Sequence, residues 1–461
     1  MKIVFLIQRM PCYRHFVPLV QEGLRRGHVL ECWHDSSITR GGQRWYSYPD
    51  LDYSPKFSGI IQPVFRSFNG KAELERELSL SRDIQAIISL HPSSYDTNEK
   101  IIKSSNFTWV YLMQNADSFF ILPKNPRPLE LKNRKDLFAV FSDKWVQLGR
   151  EYLQLFYPQY SYLLDDEHMD FVTVGNPEFD IFKEIDVRQV RSKYGIPKDK
   201  DILIYLPFPY NNRSEKSGWE TAYCGLLTNT KVSSDGMFLH DQKKNLKEYY
   251  FQKAYYFSRL LKDPSAFRYW ITGVNEGRVF DAVRRFCKKN NLFLVVKPRL
   301  KFPIAEPVKK KADLVIWDTE REQNPPVLKE LLSIAKLTVS HYSFSVLLSA
   351  YAKVFHLNVA SPGEMFINAA HKFWFSTQAP SFFDFPGICE SWKAEEVIKK
   401  LGNMPLEHFR VDALKREKYV KEYFTYDDYN SSKRLFEALE KRISHEENVK
   451  QQSSGSIVRS S

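Results

Sequence analysis

Two short stretches concentrate side chains that could hold an anion. Lys297 and Arg299 follow the apolar run 292–296, and Tyr342, Ser343 and Ser345 follow the run 337–339. A Lys/Arg pair and two hydroxyls converging on one point suit a phosphate or pyrophosphate. If Ser343 and Ser345 open a helix, its first N–H groups and its dipole add to the attraction. The same serines would also serve as ordinary helix caps. The set reads as half of a nucleotide mono- or diphosphate site.

Chemistry on a bound donor also needs a base or a nucleophile. Arg9, His15, His91 and Asp117 fall near the ends of strand-like runs in the N-terminal half. A base that deprotonates an acceptor hydroxyl would sit in such a place, and His91 and Asp117 are the favoured candidates. Against this, His91 precedes Pro92 in a turn, and Asp117 could cap the turn after Met113. Asp235, with His240 and Asp241 nearby, could be the nucleophile of a retaining mechanism, although Ser234-Asp235-Gly236 is also a common turn. Asp143, Lys144, Glu178 and Asp180 read as hinge contacts.

The elements that must position these groups alternate. Apolar runs at 2–7, 29–33, 60–65, 86–90, 109–113, 137–141 and 171–174 predict strands, with helices at about 15–26, 72–81, 98–104 and 144–156. Gly27 is placed to close the first helix. A second set opens with a helix at 187–194 ended by Gly195. It continues with strands at 201–206, 292–296, 314–317 and 337–339 and helices at 246–261, 281–290 and 327–336. Short apolar strands alternating with helices predict parallel sheets covered on both faces. Such sheets take ligands beyond the carboxyl ends of their strands. The expected fold class is α/β, two Rossmann-like domains facing across a cleft, with C-terminal helices. The expected division is 1–180 for an N-terminal acceptor-side domain and 181–404 for a donor domain with an insertion at about 213–245. Helices at 405–444 could cross back to the N-terminal domain, and the polar, Ser-rich 445–461 is predicted disordered. The first β/α unit lacks Gly-x-Gly-x-x-Gly, so a dinucleotide is not indicated.

The 461 residues are 43% hydrophobic, enough for two or three cores. No run approaches the roughly 18 uninterrupted apolar residues of a spanning helix. Five scattered cysteines without Cys-x-x-Cys give no zinc pattern. The opening 1–7 is too short for a secretory signal, so a cytoplasmic location is the expectation. A formal net charge of +12 allows an anionic substrate or peripheral contact with the anionic inner face of a membrane. The basic residues are dispersed along the sequence and match no nucleic-acid-binding pattern, so nucleic acid is not an expected partner.

Three places resemble the GT-B fold glycosyltransferases, near the CDP-glycerol glycerophosphotransferases and the capsule and lipopolysaccharide synthesis proteins. Phe141-Ser142-Asp143-Lys144-Trp145, with Val172-Thr173-Val174-Gly175-Asn176-Pro177-Glu178-Phe179-Asp180, is similar to the family's T-G-N-P-R-F-D exit from its N-terminal domain. The strand 202–207 resembles the one that opens the nucleotide domain. Val296-Lys297-Pro298-Arg299 and Val339-Ser340-His341-Tyr342-Ser343 resemble the K-x-H-P and S-D-Y-S-S elements that hold the donor's phosphates. Together these cover about 135–360. Arg299 stands where relatives carry His, and His341 where they carry Asp. The helix after Ser345 lacks the acid that grips the ribose, and Gln114-Asn115-Ala116 replaces Q-H-G with its catalytic His. The resemblance implies a glycosyltransferase moving a sugar from a nucleotide-activated donor to a glycan or lipid-linked glycan acceptor of a bacterial-type surface polysaccharide or lipopolysaccharide. The donor would be a CMP-activated acid sugar such as Kdo or sialic acid, or a UDP-sugar. The resemblance also allows a CDP-glycerol glycerophosphotransferase, an isomerase like the nucleotide-sugar 2-epimerases, or a GT-B scaffold without catalysis. It implies no metal and no cofactor, because in this fold basic residues and a helix dipole can hold the diphosphate.

Overall fold

The computed structural model describes residues 1–37, 51, 54–57, 61–90, 107–116, 118–119, 122–124, 136–167, 169–207, 231–232, 238–239, 276–298, 304, 306–318, 326–341, 343–360, 373–374 and 380–457. They fall into two compact units. Unit 1 takes Met1–Thr39, Ser47–Lys183 and Lys421–Ser461, and unit 2 takes Arg40–Tyr46 and Glu184–Val420.

In unit 1 the chain runs β1 (Lys2–Ile7), α1 (Tyr13–Arg25), β2 (Val29–Asp35), β3 (Val64–Phe68), α2 (Gly70–Leu80), β4 (Ala86–Leu90), β5 (Thr108–Leu112), β6 (Asp136–Val140), α3 (Asp143–Phe156) and β7 (Met169–Thr173). The sheet is parallel throughout, in the order β3-β2-β1-β4-β5-β6-β7. Every residue of β4, β5 and β6 is buried, which is why these strands read as continuous apolar runs and not as alternations. α1 places Tyr13, Phe16, Val17 and Val20 in the core at helical spacing. It ends at Gly27, whose φ of +77° lies in the left-handed region.

Unit 2 runs α4 (Val187–Tyr194), β8 (Ile202–Leu206), an antiparallel ribbon of β9 (Lys231–Val232) and β10 (Phe238–Leu239), α5 (Glu276–Lys289), β11 (Phe293–Val296), α6 (Glu306–Lys311), β12 (Leu314–Val315), α7 (Val327–Leu332), β13 (Ala335–Ser340), α8 (Ser345–Tyr351), β14 (Phe355–Ala360), β15 (Cys389–Lys393) and α9 (Ala394–Lys400). Its main sheet is also parallel, in the order β12-β11-β8-β13-β14-β15. Strand order reverses on either side of β8, so the switch point falls between β8 and β13.

The chain then forms α10 (Ala413–Tyr423) and α11 (Ser431–Ile457). In unit 2 the buried Arg416 donates to the carbonyls of Ala350 (3.0 Å) and Tyr351 (2.7 Å) at the end of α8. Beyond Val420 the chain belongs to unit 1. Ser142 Oγ donates to the Glu422 carbonyl (2.7 Å) and Trp145 Nε1 to the Tyr423 carbonyl (2.9 Å). The Asp180 carboxylate accepts the N–H groups of Ser431 (3.0 Å) and Ser432 (2.7 Å) at the start of α11. α11 then adds Leu435, Phe436, Leu439 and Ile443 to the core that holds α1.

Several boundaries differ from those the sequence predicts. The third strand is Val64–Phe68, not 60–65. α7 stops at Leu332 because Ala335 already pairs with β8, so the strand predicted at 337–339 begins two residues earlier. α11 continues to Ile457, through residues whose composition predicts disorder. Glu446, Glu447, Lys450, Gln451 and Gln452 are straight-chain residues that lose little rotamer freedom in a helix. The helices predicted at 98–104 and 246–261, and most of the insertion at 213–245, lie outside the described residues.

Candidate functional site

The carboxyl edge of the unit 2 sheet carries the candidates that can be placed. β11 and β13 flank β8, so their ends lie about 10 Å apart, two strand spacings. Lys297 follows β11, and His341, Ser343 and Ser345 follow β13.

Lys297 is not a solvated surface cation: only 5% of it is exposed. Its ammonium lies 2.7 Å from Asp318 Oδ2 and donates to the Pro298 carbonyl at 2.9 Å. Asp318 follows β12, so the ion pair ties together the ends of two neighbouring strands. Burying an ammonium is costly unless it is paired and hydrogen-bonded, and Asp318 meets that requirement. The side chain of Asp318 keeps about a third of its surface, 31%, against 6% for that of Lys297.

Ser343 and Ser345 are both buried. Ser343 Oγ accepts the N–H of Ser345 at 3.3 Å, and Ser345 opens α8. The Ser345 hydroxyl is buried and has no hydrogen-bond partner among the described residues. Between β13 and these serines, His341 Nε2 lies 3.0 Å from the Tyr205 hydroxyl, and Tyr205 donates to Glu276 Oε1 at 3.3 Å. Tyr205 has one proton. If Glu276 accepts it, His341 donates from Nε2 and keeps Nδ1 as the bare nitrogen. Burial pushes His341 down to about 3 and Tyr205 well up, so at neutral pH His341 carries no positive charge toward an anion. Beneath α8, His356 bridges Ser340 Oγ (2.7 Å from Nε2) and Ser349 Oγ (3.0 Å from Nδ1). It too is pushed down to about 3 by burial. These bonds fix the loop that carries the two serines.

In unit 1, His15 on α1 is buried, with Nδ1 2.8 Å from Glu178 Oε2. Arg14 Nε donates to the other ring nitrogen at 3.2 Å. Glu178 is held by an Asx turn in which Asn176 Oδ1 accepts its N–H at 3.0 Å. An imidazole beside a carboxylate is the arrangement that orients a general base, but here the nitrogen that would take the proton already accepts the Arg14 N–H. The sequence names His15 but reads Glu178 as a hinge residue. The two are far apart in the chain, and no spacing signal links them. Thr173 Oγ1 donates to Asp143 (2.5 Å), and Asp180 caps α11 as described.

His91, Asp117, Asp235, Arg299 and Tyr342 lie outside the described residues.

No protein-family model matches the sequence, and no curated protein matches it. Solved structures do. The wall teichoic acid polymerase TagF superposes with a TM-score of 0.51 at 9% identity, covering 96% of this chain and 89% of that one. A Listeria monocytogenes protein assigned as a UDP-N-acetylglucosamine 2-epimerase gives 0.50 at 10% identity, covering 96% and 97%. The chain thus has a GT-B-like fold: two parallel α/β sheets of seven and six strands with C-terminal helices. The expected fold class and the likeness to GT-B proteins are borne out at that level. No described helix is long and apolar enough to cross a membrane.

Proposed function

We propose that the protein is a nucleotide-sugar-dependent glycosyltransferase acting in surface-polysaccharide or lipopolysaccharide synthesis, on a glycan or lipid-linked glycan acceptor in the cytoplasm. The observation that carries this reading is the switch-point edge of unit 2. There a buried, tethered lysine and a pair of buried serines sit at the ends of the two strands that flank β8. A phosphate arriving there meets Lys297, and the preorganised cation would stabilise the negative charge that develops on the departing nucleotide. Arg299 and Tyr342 complete the proposed donor set. Activation of the acceptor hydroxyl is assigned to His91 or Asp117; the buried His15 faces Glu178 through Nδ1 and accepts from Arg14 at Nε2, so neither ring nitrogen is left to take that proton. Asp235 is retained as the nucleophile of a retaining route. The residues named need no metal to hold the phosphates.

Thermal unfolding with CMP, CDP, UDP and their sugars tests the reading. A nucleotide that binds the native protein raises its unfolding temperature, and Lys297→Ala should abolish the rise. No rise with any nucleotide would favour a scaffold without catalysis. Product analysis with the stabilising donor then separates sugar transfer from transfer of glycerol phosphate and from epimerisation.

A further inference from the structure

The basic residues that look dispersed in the sequence are gathered by the fold of unit 2. α6, α5 and α9 lie side by side in one layer over the sheet. Lys311 Nζ is 2.7 Å from Asp281 Oδ1, joining α6 to α5, and Arg285 donates to the Ile398 carbonyl at 3.3 Å, joining α5 to α9. The inner face of α5 is apolar, with Val279, Phe280, Val283 and Phe286 buried. The three helices together hold ten Lys and Arg against five Asp and Glu. One of those acids, Glu276, is buried on the inner side. Lys288, Lys309, Lys310 and Lys399 are all exposed.

We propose that the outer face of the α6–α5–α9 layer docks the protein on an anionic lipid surface. The exposed cations are mainly lysines, compact point charges that need no planar, bidentate partner. The aromatic side chains of the three helices, Phe280 and Phe286, are buried, so the face offers no platform on which nucleic-acid bases could stack. A layer of helices presenting lysines, with no exposed apolar side chain among the described ones, fits the diffuse negative potential of a headgroup layer. Attachment is therefore electrostatic and reversible, without insertion. The proposal does not depend on the nucleotide reading.

Sedimentation of the full chain with vesicles tests it. The protein should bind vesicles of phosphatidylcholine containing a third phosphatidylglycerol and ignore pure phosphatidylcholine. Binding should fall as salt is raised above about 0.15 M, where screening shortens the reach of each charge below roughly 8 Å. At roughly fivefold per surface cation, the quadruple variant Lys288→Gln, Lys309→Gln, Lys310→Gln, Lys399→Gln should lose at least tenfold in partitioning. The four matching Lys→Arg changes should retain binding. Changing four other exposed lysines, Lys71, Lys418, Lys433 and Lys441, to Gln should leave it within about threefold. The thermal midpoint and any nucleotide-induced shift of the first variant should match those of the wild type, which separates this result from the fate of the nucleotide reading. Equal binding to neutral vesicles, wild-type binding by the first variant, or equal loss in the control variant overturns the proposal. So does binding to heparin or RNA with no binding to anionic vesicles.

Discussion

Lys297 and Asp318 make opposite predictions for stability and for binding. The ammonium is buried and the carboxylate is partly exposed. Removing the carboxylate in Asp318→Asn leaves a buried cation with less compensation. The cost should be about 1–3 kcal/mol, below the range for a fully buried pair because solvent already screens Asp318. If an anion binds at Lys297, the same change also removes a competing acceptor and a like charge, so nucleotide affinity should rise several-fold while the unfolding midpoint falls. Urea denaturation and nucleotide titration of this one variant check both signs. A fall in affinity would mean that Asp318 only holds the lysine for a structural purpose. The two buried histidines set a second residue-scale expectation. Burial lowers both His341 and His356 from the ordinary 6.5 to about 3, so the folded state binds fewer protons than the unfolded one. Their contribution is complete above about pH 6.5 and is lost as pH falls toward 3. At pH 5 the two together should cost a few kcal/mol relative to pH 7. Replacing His356 with Asn should flatten that acid limb of the stability curve.

At the scale of elements, the segment that most resembles a family motif turns out to be a dock for α11. Gly175 has φ of +83°, and a Cβ there would meet Ser431 Oγ at 2.7 Å. The position therefore combines a left-handed backbone with a close approach, and Gly175→Ala should destabilise unit 1 by about 1–3 kcal/mol. Asp180 satisfies two N–H groups at the start of α11, and Asp180→Ala should cost about 1–2 kcal/mol, the range for a lost N-cap. Both losses should appear in denaturant unfolding of unit 1 and leave nucleotide-induced stabilisation of unit 2 unchanged. The strands and most helices of both sheets were legible because buried parallel strands are short apolar runs and Gly27 and Gly195 mark helix ends. The partner of Lys297 was not legible, because Asp318 reaches it across two strand ends and not along the chain. Glu178 was hidden for the same reason: its partner His15 lies on the first helix, and local pattern carries no trace of the contact. Past residue 444 the polar composition points to disorder, while the helix propensity of the Glu, Lys and Gln residues there agrees with the continuation of α11 to Ile457.

For the molecule as a whole, the arrangement of unit 1 is the decisive feature. It is built from the start and the end of the chain, with unit 2 inserted between. Leu435, Phe436, Leu439 and Ile443 of α11 lie in the same core as β1 and α1. Each such side chain contributes about 1.5–3 kcal/mol on burial, so the four together, about 6–12 kcal/mol, are as large as the 5–15 kcal/mol that typically separates folded from unfolded domains. A chain ending at Asn430 should therefore lose unit 1, since it exposes that core and leaves the Asp180 carboxylate without the two N–H groups it caps. Unit 2 keeps its own core, centred on β8, α5 and β13, and contains every described residue of the proposed donor site. Expressed as Glu184–Val420, it should unfold cooperatively and keep the nucleotide-induced rise in unfolding temperature. The truncated chain should give protease-resistant fragments from this region and none from residues 1–183. Survival of an intact N-terminal fragment would show that α11 is an accessory to the unit 1 core and not part of it.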